Sequence, residues 1–109
     1  MRQNPKNTLF NNENAFILPS SLVRKYGYPA AAFLSLIHRE IEQNQGIIFE
    51  NNRYVPKTKT QLAEEIMISS RALDRYIQQL IKNEVIAVKK LSDIKSNRTN
   101  YYTLIYANL

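Results

Sequence analysis

Thr58 to Tyr106 reads TKTQLAEEIMISSRALDRYIQQLIKNEVIAVKKLSDIKSNRTNYYTLIY, and this run decides the fold. Its opening, TKTQLAEEI, sets Thr58 three residues before Gln61. That is a capping-box spacing, in which the two side chains satisfy orphan N–H groups at a helix start. Leu62, Ala63 and Ile66 then recur at helical intervals, and the pattern breaks at Met67-Ile68. Ser69 is placed to cap a second helix, Ser70 to about Asn83. Leu73, Ile77, Leu80 and Ile81 fall on one face of it, at i, i+4, i+7 and i+8. Arg71, Asp74, Arg75, Gln78, Gln79 and Lys82 are left for the other face.

Beyond that helix the chemistry changes. Val85 to Leu91 (VIAVKKL) and Thr99 to Tyr106 (TNYYTLIY) are β-branched and aromatic, and both read as strands. Between them, Ser92 to Arg98 is polar and basic, a composition that suits a loop lying along phosphates. A polar face of Arg, Gln and Asp is ordinarily just a solvated face. Helix, turn, helix and basic hairpin in this order are more specific. They define a winged helix-turn-helix, an α+β fold that is mainly helical with a small antiparallel wing sheet.

The chain's 109 residues suffice for one core. Formal charge is +6. Residues 1–55 carry six basic against four acidic side chains, and residues 56–109 carry nine against five. The excess therefore lies mainly in the half that holds the helix pair and hairpin, as nucleic-acid binding requires. Charge of this sign also serves solubility or an acidic protein partner. Cysteine is absent, which removes disulfides, thiolate metal sites and cysteine nucleophiles together. There is no apolar run of membrane-spanning length and no signal-peptide pattern, so the expected location is the cytoplasm, without membrane attachment.

The first half is less decisive. Met1 to Asn14 is asparagine-rich and aperiodic, and reads as an arm ahead of a single domain spanning 15–109. Arg2 and Lys6 are the side chains with which such an arm reaches a minor groove. Ala15 to Leu18 reads as a short extended segment ended by Pro19. Ser20 or Ser21 then caps a short helix containing Leu22, Val23 and Tyr26, which Gly27 terminates. Pro29 fits the first turn of a longer helix, to about Gln45 and stopped by Gly46, with Ala30, Phe33, Leu34, Ile37 and Ile41 as its stripe. Ala32 and Leu36 lie off that stripe. Either the N-terminal segment covers them or they form an association surface, for a homodimer or another protein. Ile47–Glu50 and Arg53–Lys57 flank a turn at Asn51-Asn52, and Pro56 marks the second run as an edge.

Three stretches then look familiar together: LVRKYGYPAAAFLSLIHREI (Leu22–Ile41), the run Tyr54 to Ile86, and NRTNYYTLIYANL (Asn97–Leu109). They resemble the winged helix domain of replication initiator and replisome-organiser proteins from Gram-positive phages, plasmids and other mobile elements. The resemblance covers nearly everything after residue 15. It implies DNA binding tied to replication of a mobile element or its control, with a helicase, polymerase or initiator of the same element as protein partner. It does not distinguish duplex from single-stranded DNA, nor a replication factor from a transcriptional repressor. One departure stands out. Similar domains place glycine between the second helix and the first wing strand, where this chain has Asn83-Glu84; Asn83 is the residue expected to turn left-handed there.

On this reading Ser70, Arg71, Arg75, Gln78, Gln79 and Lys82 approach the groove, and Lys89, Lys90, Lys95 and Arg98 hold the backbone beside it. Tyr101 and Tyr102 are candidates for stacking on exposed bases, although strand periodicity sends only one of two neighbours outward. Catalysis is not expected. His38 is the single histidine and reads as a helix-face or core residue, and adjacent or i+2 carboxylates such as Glu64-Glu65 and Glu40/Glu42 point apart on a helix. Asp93 in the hairpin adds little to either pair. With two glycines in the chain there is no phosphate-cradling loop, and no metal or cofactor is expected. The rival class is a protein–protein adaptor, working through the N-terminal segment and the helix that carries Ala32 and Leu36.

Overall fold

The computed structural model describes residues 18–90 and 99–109. The expected N-terminal arm, with Arg2 and Lys6, and the whole basic loop 92–98, with Asp93, Lys95 and Arg98, lie outside them. The described residues form an α+β fold that is mainly helical. In chain order they are α1 (Ser20–Tyr26), α2 (Tyr28–Glu42), β1 (Ile47–Phe49), β2 (Asn52–Lys57), α3 (Lys59–Ile66), α4 (Ser70–Lys82), β3 (Ile86–Lys89) and β4 (Asn100–Leu104), then a 3-10 turn, Tyr106–Asn108. No helix among them is long and apolar enough to cross a membrane.

Helix α2 is the centre of the molecule. Every residue from Ala30 to Ile37 is buried, because α1, α3, α4, β2 and β4 all pack against it. A helix surrounded on all sides needs apolar residues on all sides. That corrects the expectation of an association surface at Ala32 and Leu36. Leu36 is 0% exposed and Ala32 8%, so their second apolar face is core. Phe33, Leu34 and Ile37 meet Leu62, Leu73, Ile77, Leu80, Val55 and Tyr102 in one contiguous cluster.

The sheet is antiparallel, in the order β1-β2-β4-β3. Glu50 (φ 51°) and Asn51 (φ 67°) form the turn between β1 and β2. Positive φ at both central positions is the two-residue hairpin whose twist matches its strands. The turn thus sits one residue earlier than expected at Asn51-Asn52, and Asn52 joins β2 opposite Phe49. Residues flanking such a turn exchange ladder bonds, so Asn52 and Tyr54 direct their backbone groups at β1. By alternation Val55 and Lys57 direct theirs at β4, opposite Tyr102 and Asn100. Pro56 faces β1's side, beyond Ile47 where β1 begins, so its missing N–H costs no ladder bond.

Several helix ends differ from expectation for local reasons. Pro19, rather than Ser20 or Ser21, precedes α1; its carbonyl takes the N–H groups of Leu22 and Val23 at 3.1 and 3.2 Å. Helix α2 stops at Glu42, not Gln45, because Asn44 turns left-handed (φ 58°) and Gln45 N–H bonds back to the Glu40 carbonyl. Gly46 (φ 85°) then turns the chain into β1, and a Cβ there would collide with the Tyr54 carbonyl. At the end of α4, Asn83 stays at φ −85° and Glu84 takes the left-handed position (φ 57°). Glu84 N–H bonds to Ile81 and Val85 N–H to Leu80, the paired bonds of a Schellman motif. Asn108 fixes the corner by donating from Nδ2 to the Glu84 carbonyl at 2.7 Å.

Candidate nucleic-acid interface

The helix pair α3–α4 is held at both of its N-termini. Thr58 Oγ1 accepts from Gln61 N–H at 3.1 Å while Gln61 Oε1 accepts from Thr58 N–H at 2.9 Å, completing the capping box. Ser69 Oγ accepts from Ala72 N–H at 3.1 Å and starts α4. The joint between the helices is Met67 in the left-handed region (φ 65°, ψ 45°), with Ile68 N–H bonded back to the Ala63 carbonyl at 3.1 Å. Ile66 and Ile68 pack against the core; Met67, at 89% exposure, does not.

Two cations set this pair on the body. Lys57 Nζ lies 3.2 Å from both Glu40 and Glu65 and bridges α2, β2 and α3 with little solvent access. Lys59 Nζ meets Asp74 at 2.6 Å and joins the first turn of α3 to α4. Sequence periodicity gave no sign of either bridge, since each spans separate elements. Only the second reaches α4, through Asp74.

At 100° per residue, Arg71, Arg75, Gln78 and Lys82 lie within about 40° of a common line along α4. Leu73 and Leu80 lie on the opposite side, both buried. All four polar residues of the line are exposed, as are Gln79 and Ser70 on its two flanks. Asp74 is the only acidic residue of α4, and its charge is taken by Lys59. Arg75 lies beside the Tyr76 ring, 5.9 Å from its centroid. Ile81, expected inside, is 37% exposed, because it sits nearer to Asp74 than to Leu80 around the helix.

The strands add less than expected. Lys89 is half-buried and Lys90 exposed, at the end of β3. Lys89 Nζ stands 4.9 Å from the centroid of Phe49, a neighbour the sequence did not reveal. Tyr101 is half-buried opposite Lys89, on the same face of the ribbon. Tyr102 is corrected: it is 0% exposed, edge-on to Phe33 with centroids 5.5 Å apart, and cannot stack on a base. Burial raises its pKa from 10.0, outweighing the lowering by Asn100 and Lys59.

His38 is exposed on α2 and bonds through Nδ1 to Tyr106 Oη at 2.8 Å, with Glu42 3.8 Å from Nε2. Burial, then Glu42, raise the Tyr106 pKa. This group ties α2 to the C-terminal turn. Among the described residues no three His, Cys, Asp or Glu side chains gather as a metal site. No protein-family model matches the chain, and neither does any curated protein or solved structure.

Proposed function

We propose that this chain is a winged helix DNA-binding protein that uses α4 as its recognition helix. The observation that carries the reading is the exposed line Arg71, Arg75, Gln78 and Lys82, directly opposite the buried line of the same helix. Arg pairs bidentately with guanine and Gln with adenine in the major groove, so the line supplies readers as well as phosphate contacts. Ser70 and Gln79 flank it, and Lys89 and Lys90 at the end of β3, with Lys95 and Arg98 from the basic stretch of sequence that follows, contact the DNA backbone.

Duplex is the favoured target. With Tyr102 in the core, only Tyr101 of the expected stacking pair retains access, and one half-buried ring makes a poor platform for single strands. Binding rather than catalysis is the activity, since the sequence offers one histidine, no cysteine and two glycines. On the resemblance of its three stretches, we assign the binding to replication of a mobile element or to its control. Partners from the replication machinery belong to that assignment. The adaptor alternative gains no support from Leu36 and Ala32, which are internal; the N-terminal segment it also used lies outside the described residues.

The test is fluorescence anisotropy with labelled duplex and single strand of equal length, at two salt concentrations. The expected result is salt-sensitive binding to duplex that Arg71→Ala with Arg75→Ala reduces by tenfold or more. Binding unchanged in that double variant would remove α4 from the mechanism.

A further inference from the structure

Among the described residues, strand β1 is an open edge. Its other side pairs with β2, but Ile47, Ile48 and Phe49 remain 45%, 65% and 37% exposed. Ile47 and Phe49 bond to Tyr54 and Asn52 across the hairpin, so alternation turns the N–H and C=O of Ile48 outward. An apolar edge with an unmet backbone pair is a template for another strand. Lysine, proline or an inward charge would normally blunt such an edge, and this one has none.

We infer that β1 pairs with β1 of a second copy when two molecules lie side by side on DNA; this rests on the DNA-binding reading above. Three features select a second copy. The strand carries no charge, so identical strands of a +6 chain meet here without like charges opposed. A two-fold axis through Ile48 sets it opposite itself, where a hydrogen-bonded antiparallel pair exchanges both of its bonds. Ile47 then lies opposite the partner's Phe49, and apolar side chains meet on both faces. Third, the strand adjoins the DNA face, since Lys89 Nζ stands over the Phe49 ring.

Area fixes when the pairing forms. Three side chains of this size and exposure offer on the order of 300 Å² per copy, well under the about 800 Å² per partner of a stable complex. Free copies therefore stay monomeric. DNA raises their effective concentration to about millimolar, at which a weak two-bond contact suffices.

Binding is measured on duplexes of about one and about three helical turns, with sedimentation of the free protein alongside. The expected parent is monomeric, binds the short duplex singly, and binds the long one with a Hill coefficient clearly above one. Ile48→Glu opposes two charges on the axis. Ile48→Pro removes the outward N–H together with the isoleucine side chain, but no β1–β2 ladder bond. Both variants are expected to keep short-duplex affinity within twofold while the Hill coefficient on the long duplex falls to one. Non-cooperative binding by the parent, or cooperativity intact in both variants, overturns the pairing alone. Failure to bind even the short duplex overturns the DNA reading and the pairing with it.

Discussion

Glu84 occupies a left-handed backbone position that costs a residue with a Cβ about 1–2 kcal/mol relative to glycine. It is tolerated because the Schellman bonds of Ile81 and Leu80 and the Asn108 side chain over-determine the corner. Glu84→Gly keeps all three, since none involves the Glu84 side chain. It is expected to raise stability by about 0.5–1 kcal/mol, seen as a higher midpoint in urea with an unchanged slope. Tyr102 makes the opposite point, that a side chain can be held by what it lacks. Its pKa is raised in the folded state, so the stability it contributes is complete below pH 10 and is lost as pH rises through the folded value. Tyr102→Phe has no proton to lose. Its stability is therefore expected to decline less above pH 10 than the parent's, by denaturant titration across that range. An equal decline in both would assign the alkaline loss to other groups.

At the level of elements, the joint between α3 and α4 shows how much was legible beforehand. The capping box at Thr58/Gln61 and the cap at Ser69 are written in local sequence, and both are present at hydrogen-bond distance. Ser69→Ala should cost about 1 kcal/mol, read by thermal or urea unfolding, because it frees the Ala72 N–H at the start of α4. What local sequence did not carry was which neighbours surround each element. Helix α2 has the composition of an amphipathic helix with stray apolar residues, and only its five packing partners make Ala32 and Leu36 core. Leu36→Lys consequently tests folding rather than association. It is expected to unfold the domain at 25 °C, by circular dichroism, because a buried lysine has no partner there. Periodicity misplaced Ile81 for a related reason. Leu73, Ile77 and Leu80 form the buried face of α4, and Ile81 lies at its margin. The Lys57 and Lys59 bridges and the Phe49–Lys89 contact join residues separated by 8 to 40 positions, a separation over which no spacing rule operates.

For the whole molecule the deciding quantity is where unpaired positive charge collects. Lys57 and Lys59 are spent on structure, each against carboxylates within 3.2 Å. Of the cations without an ion pair among the described residues, five (Arg71, Arg75, Lys82, Lys89 and Lys90) lie on α4 or at the end of β3, while Arg24 and Lys25 lie on α1 and Arg53 on β2. If each of the five neutralises one phosphate, log affinity for duplex falls with log salt at a slope of about −4 to −5. Lys95 and Arg98 in the hairpin loop would steepen it by up to about 2 more. Removing the charges of Lys95 and Arg98 should therefore flatten the slope by the same amount while leaving sequence preference alone, since phosphate contacts carry no sequence information. Gln78→Ala should do the reverse. It removes no charge, so the slope stays, but discrimination between sites differing at one base pair narrows by about 1–3 kcal/mol. Slopes and discrimination measured on the same set of duplexes separate the two roles. A loop variant that changed preference, or a Gln78 variant that changed only the slope, would mean that the reading and holding surfaces have been assigned the wrong way round.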